Sequence, residues 1–190
     1  MRVLLIGPPG AGKGTQARRI AETFRVRHVS SGEIFRRHIS EGTAQGGAVA
    51  GYIDRGDLVP DDLVLSMVGG EVIEASAAGG YVLDGYPRTL DQAEAAYRVA
   101  DELGVTVQAV IYLDVDEEEL ISRLEGRAAE EGRSDDTIDT ARHRIDVYME
   151  KTRPLLDYYA SRGVLHAVDG NRPVADVTRD ILDLLHRTRT

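Results

Sequence analysis

The chain has 190 residues, 42% of them apolar and 29% charged, enough to bury one sizeable core and too apolar for disorder. Its net charge of −9, with basic residues scattered along the chain, disfavours bulk attraction to nucleic acid or to an anionic membrane. It has no cysteine, which excludes disulfides, thiol nucleophiles and cysteine zinc sites, and a cytoplasmic setting is compatible with that.

Taken in order, apolar runs suited to buried strands fall at residues 3–6, 81–83, 107–113 and 164–168. The first is too short for the core of a secretory signal, and no run reaches the length of a membrane span. Helical spacing of apolar residues predicts helices over 16–24, 61–75, 90–103, 117–124, 138–159 and 174–185. Strands alternating with helices predict an α/β domain with a parallel sheet covered on both faces. Gly163 is placed to stop one helix, and Pro173 is expected just inside the last one. Residues 30–60 and 126–136 break the rhythm and are expected to be excursions from a single core spanning 1–190.

The strongest local signal is Gly7-Pro8-Pro9-Gly10-Ala11-Gly12-Lys13-Gly14-Thr15, directly after the first strand. Its glycines let successive backbone N–H groups converge on one anion, and the following helix adds free N–H groups and a positive dipole end. The Lys13 ammonium can reach the terminal phosphates of a nucleotide, and it is one of only two lysines, with Lys151. Gly14 stands where the general pattern has a Ser or Thr hydroxyl, and Thr15 follows one residue later.

Asp84 and Arg88 follow the strand at 81–83, on the side of a parallel sheet where ligands gather. Arg88 can grip a phosphate bidentately, and Asp84 can hold Mg²⁺, through water rather than directly. Asp114 ends another apolar strand and is an equal candidate by pattern. Ser30, Ser31 or Gly32 can start a helix that carries Arg36. Arg123 and Arg127 lie four apart on one helical face, Arg133 sits in the polar excursion, and Arg142 and Arg144 point to nearly opposite faces. Tyr148, Tyr158 and Tyr159 read as packing or surface residues, and the five histidines show no metal-ligand spacing.

These motifs, with Gly56-Asp57-Leu58-Val59-Pro60-Asp61, Gly80 to Arg88, Gln92 and Asp169-Gly170-Asn171-Arg172-Pro173, resemble adenylate kinases and related nucleoside monophosphate kinases over nearly the whole chain. The resemblance implies a P-loop fold with a nucleotide-binding insert at 30–60 and a short, zinc-free lid at 126–136. It implies phosphoryl transfer from Mg·ATP to AMP, by a monomer whose partners are ATP, AMP and ADP. Gly10, Ala11, Gly12, Lys13, Gly14 and Thr15, with Arg127 and Arg172, would hold ATP. Ser31, Arg36, Asp57, Leu58, Val59, Gly85, Arg88 and Gln92, with Arg133 and Arg144, would hold AMP. Lys13, Arg88, Arg123, Arg133 and Arg144 would act on the transferring group, Asp84 rather than Asp114 would face Mg²⁺, and Arg144 rather than Arg142 would point inward. Ser31 and Glu33 replace the family's usual Thr and Asp, keeping a hydroxyl and a charge. A UMP/CMP kinase and a P-loop regulatory switch are the alternatives.

Overall fold

All four expected apolar runs become strands of one parallel sheet. The computed structural model describes residues 1–131 and 138–188. The strands are β1 (Arg2–Ile6), β2 (Arg27–Ser30), β3 (Tyr81–Asp84), β4 (Ala109–Asp114) and β5 (Leu165–Asp169), in the order β2-β3-β1-β4-β5. Neighbours pair in parallel, with Val3 opposite Val82 on one side and Ala109 on the other. Side chains alternate across the pleat, so Val3 and Leu5 enter one core layer while Leu4 and Ile6 enter the other. That double burial explains why β1 reads as a continuous apolar run rather than an alternating one.

The helices are α1 (Lys13–Phe24), α2 (Ser31–Ser40), α3 (Ala44–Arg55), α4 (Asp61–Ala77), α5 (Leu90–Glu102), α6 (Glu117–Glu131), α7 (Ile138–Val147), α8 (Leu155–Ala160) and α9 (Val174–Thr188). None of the described helices is long and apolar enough to cross a membrane. The layer with Val3 holds Ile20 of α1, Leu124 of α6, Ile145 of α7 and Ile181 of α9. The layer with Leu4 holds Phe35, Val49, Met67 and Ala93, from α2 through α5, and Leu155 of α8. Gly163 ends the α8 region with φ 70°, a left-handed conformation that a Cβ would strain.

Five local readings change. The strand β2 had no apolar signature, because Val29 is the lone aliphatic residue in Arg27-His28-Val29-Ser30 and the strand forms by pairing with β3. The irregular stretch at 30–60 contains α2 and α3, and the first part of the polar stretch at 126–136 continues α6 to Glu131. The single helix expected over 138–159 is divided by a π turn at Tyr148–Thr152, in which Arg153 N–H donates to Tyr148 O, and by Pro154, which has no N–H to give. Pro173 lies just before α9 rather than inside it, and its carbonyl accepts from the Asp176 and Val177 N–H groups.

The sheet order reverses direction about β1. The loops after β1 and β3 therefore open beside each other at the carboxyl edge, the usual place for a ligand in an open α/β sheet.

Candidate active site

The loop from β1 to α1 is shaped by two glycines in the left-handed region, Gly10 (φ 85°) and Gly12 (φ 86°), and Gly12 caps α1. Gly10 is required a second time by packing, since a Cβ there would lie 2.9 Å from the Leu120 carbonyl. Ala11 is buried behind the loop. The first turn of α1 carries no acidic residue, so its positive end is left for an anion. Lys13 Nζ donates to the Gly7 carbonyl at 2.8 Å and the Pro8 carbonyl at 2.9 Å, which lays the ammonium along the loop.

A second set of groups faces this loop. Ser30, at the end of β2, caps α2 by accepting from the Glu33 N–H, so Ser31 becomes the first helical residue. The buried Ser31 hydroxyl donates to the Gly85 carbonyl at 2.9 Å, and Arg88 Nε donates to the same oxygen at 2.8 Å. Gly85 has φ 85°, and a Cβ there would stand 2.4 Å from Ser31 Oγ. Arg36, one turn into α2, folds its guanidinium back over Gly32. Glu33, in the same turn, pairs with Arg18 of α1 at 3.4 Å.

One cavity of about 690 Å³ joins the two sets. The loop from Gly10 to Gln16 forms one wall, and Arg36, Gly85, Arg88 and Arg144 form another. Arg123 and the Gly170–Val174 segment close the far end. Burial and the neighbouring Arg144 push the Arg88 guanidinium down to about 10, Asp84 opposes the shift and Arg36 adds to it. Arg88 stays cationic at neutral pH, and its lowered value reports positive charge crowded into a poorly hydrated place. An anion in the cavity reverses that penalty.

The members of each pair left open by pattern lie in different places. Asp84 lines the cavity, with Oδ2 3.8 Å from where a Gly14 Cβ would be, while Asp114 accepts from the Tyr112 hydroxyl at an exposed position. Arg144 lines the cavity and Arg142 is exposed. Arg123 is steered by Glu119 (2.7 Å) and the Gly170 carbonyl (2.9 Å), and Arg172 is held by Asp180. Tyr148 and Tyr159 are buried packing residues. The side chain of Arg127 and the whole of Arg133 lie outside the described residues.

Asp57, Leu58, Val59 and Gln92 line a narrow cleft next to Arg88, between α3 and α5. Gln92 is the third residue of α5, after the cap Thr89, whose hydroxyl accepts from the Gln92 N–H. The spacing Thr89-x-x-Gln92 is a capping-box signal in the sequence. Here the amide reaches one residue further back, and Gln92 Oε1 accepts from the Arg88 N–H at 2.7 Å.

Three further residues support the site, and Thr152 and His143 carried no sequence signal. Thr152 in the π turn donates to the Arg88 carbonyl at 2.8 Å. Gly56, with φ 76°, ends α3 and lets the Arg144 stem pass, since a Cβ would meet its Cγ at 2.7 Å. His143 Nε2 meets Asp57 Oδ1 at 2.9 Å, joining the loop after α3 to α7.

A family model described as adenylate kinase matches residues 5–164. An adenylate kinase of Thermobifida fusca is 47% identical over 185 residues, covering 97% of this chain and 98% of its own. That of Kocuria rhizophila is 47% identical over 98% of this chain and 99% of its own, and that of Thermus thermophilus 49% identical over 88% of each. The chain belongs to the adenylate kinase family. Among the described residues, this adenylate kinase family member brings Lys13, Arg36, Asp84, Arg88, Arg123, Arg144 and Arg172 to a single cavity. Asp57, Leu58, Val59 and Gln92 gather in the adjoining cleft.

Proposed function

We infer that this protein catalyses reversible phosphoryl transfer from Mg·ATP to AMP, giving two ADP. The observation that carries the reading is the shared cavity: an anion-binding loop on one wall faces Arg36, Arg88 and Arg144 on the other. A protein that only binds one nucleotide has no use for a second phosphate grip. Phosphoryl transfer needs little covalent help and much alignment and charge neutralisation, which is what these groups offer.

The donor's β- and γ-phosphates rest on the loop N–H groups from Gly10 to Thr15 and on Lys13. The acceptor phosphate is held by Arg36 and Arg88, whose guanidinium is fixed from below by the Gly85 carbonyl. Arg123 and Arg144, with Arg133, gather charge around the transferring group. Arg172 and Arg127 lie toward the donor base, and Ser31, Asp57, Leu58, Val59 and Gln92 toward the acceptor nucleoside. No general base is required. The segments at 30–60 and 126–136 act as the nucleotide-binding arm and the short lid, and exclude water when they close.

Asp84 fits a magnesium ion carried by the donor, because a hard carboxylate beside Gly14 occupies the space next to the missing loop hydroxyl. When bound, the ion neutralises phosphate charge. The same reading makes the protein a cytoplasmic monomer that acts on small nucleotides and uses neither nucleic acid nor a membrane; its net charge of −9 supports the last two points alone.

Turnover of ATP against AMP, dAMP, CMP, UMP and GMP tests the reading. AMP is expected to be the best acceptor. Better use of CMP or UMP replaces it with a pyrimidine monophosphate kinase, and slow ATP hydrolysis indifferent to AMP replaces it with a nucleotide switch.

A further inference from the structure

The Gln92 amide is almost wholly buried, at 4% exposure, and both of its ends are engaged. Oε1 accepts from the Arg88 backbone N–H at 2.7 Å, and Nε2 donates to Asp61 Oδ1 at 2.5 Å. Asp61 is the exposed first residue of α4, on a different element from the phosphate grip. An amide has two lone pairs and two hydrogens, so one acceptor site and one donor site remain for a ligand.

We propose that Asp61 is a specificity-determining positioning residue that locks the Gln92 amide in the orientation complementary to a 6-aminopurine and against a 6-oxopurine. The proposal rests on Gln92 facing the acceptor base, as inferred above. A 6-aminopurine presents a donor at N6 beside an acceptor at N1. A 6-oxopurine presents the reverse, an acceptor at O6 beside a donor at N1. An unconstrained glutamine serves either base by turning its amide over, because that exchange swaps its donor and acceptor.

Here the exchange is opposed from two directions. A carboxylate can only accept, so a turned amide would set Oε1 against Asp61 Oδ1. A backbone N–H can only donate, so the same turn would set the NH₂ group against the Arg88 N–H. Two hydrogen bonds, one of them to a charged group, would be replaced by two like contacts around a buried amide. The Arg88 N–H is present whatever the side chains are. The variable part of the lock is Asp61.

The test is kcat/KM with AMP and with IMP, which differ at the 6-position and in the N1 proton, for wild type, Asp61→Asn, Asp61→Ala, Gln92→Leu and the double variant Asp61→Asn/Gln92→Leu. Melting temperature and the KM for ATP check that each protein is folded. Asp61 is exposed at a helix start, so two different replacements guard against one misfolding. Wild type is expected to favour AMP strongly. Each Asp61 variant should lower the AMP:IMP ratio by roughly tenfold, the scale on which one bidentate base contact discriminates. Adding Asp61→Asn to Gln92→Leu should change the ratio no further.

If Gln92→Leu lowers the ratio and the Asp61 variants leave it intact, or reduce use of both nucleotides by the same factor, the proposal is overturned and the reading of Gln92 survives. If Gln92→Leu itself leaves the ratio unchanged, the reading of Gln92 falls first, and the role of Asp61 falls with it.

Discussion

At Gly14 the space beside the loop is approached by side chains from other elements. The general loop pattern has a hydroxyl there, and in this chain Asp84 and Arg18 approach the same space, with Asp84 Oδ2 3.8 Å from the Cβ position. Lys13 bears a different load: the left-handed turns of its loop belong to Gly10 and Gly12, and the lysine lays its charge along the loop through the Gly7 and Pro8 carbonyls. Lys13→Met is therefore expected to keep the melting temperature within a few degrees of wild type. It should lower kcat by about 10²–10³, the range for losing one preorganised group at developing charge. A folded Lys13→Met protein with near-normal kcat, measured by coupled ADP formation, would remove Lys13 from the proposed mechanism.

The π turn between α7 and α8 places Thr152 against the Arg88 carbonyl, so a register change in one helix holds the backbone of a cavity-lining arginine on another segment. Thr152→Val keeps the shape and removes the donor, at about 1 kcal/mol of stability. The KM for AMP should rise severalfold while the KM for ATP stays nearly constant. Equal changes in both would mean that Thr152 only supports the core. The loop after α3 meets α7 through Asp57, whose carboxyl is held below its ordinary value by hydrogen bonds from His143 and then Arg55. A lowered folded value stabilises the protein above the unfolded value of about 3.9 and loses that effect as pH falls through the folded value. The melting-temperature difference between wild type and Asp57→Asn should close below about pH 4, as the carboxyl takes up its proton. A difference that persisted undiminished at about pH 3 would contradict the assignment.

At the scale of the whole molecule, distant elements bring Arg88 into a buried place beside Arg144, which lowers its value against the opposing pull of Asp84. Nucleotide binding should therefore be strongly stabilising. Saturation with ADP at about a hundred times its Kd adds about 2.7 kcal/mol by mass action. For a domain of this size that corresponds to a melting shift of roughly 5–11 °C. Arg88→Ala is expected to melt within a few degrees of wild type without ligand, because it removes both a buried charge and its bond to Gly85. The same variant should lose most of the ADP shift at that concentration. Retention of the full shift would show that acceptor phosphate binding does not depend on Arg88.

Residue types and spacing sufficed for the strands that are buried on both faces, because double burial leaves an uninterrupted apolar run such as Val3-Leu4-Leu5-Ile6. They sufficed for the phosphate loop as well, since Gly10 and Gly12 need a backbone that other residues avoid. Position after a strand by itself pointed to Arg88, whereas family likeness was needed to join Arg36, Arg144 and Gln92 to it as a set. The edge strand β2 was not legible, because its stability comes from hydrogen bonds to β3 and not from its own polar side chains. Asp84 and Asp114 were equivalent as strand-end carboxylates until the crossing at β1 put the first beside Gly14 and left the second bonded to Tyr112. The contacts of Thr152 with Arg88, Gly56 with Arg144 and Asp61 with Gln92 span 64, 88 and 31 positions. No local pattern encodes such pairs; the packing of distant elements around one cavity decides them.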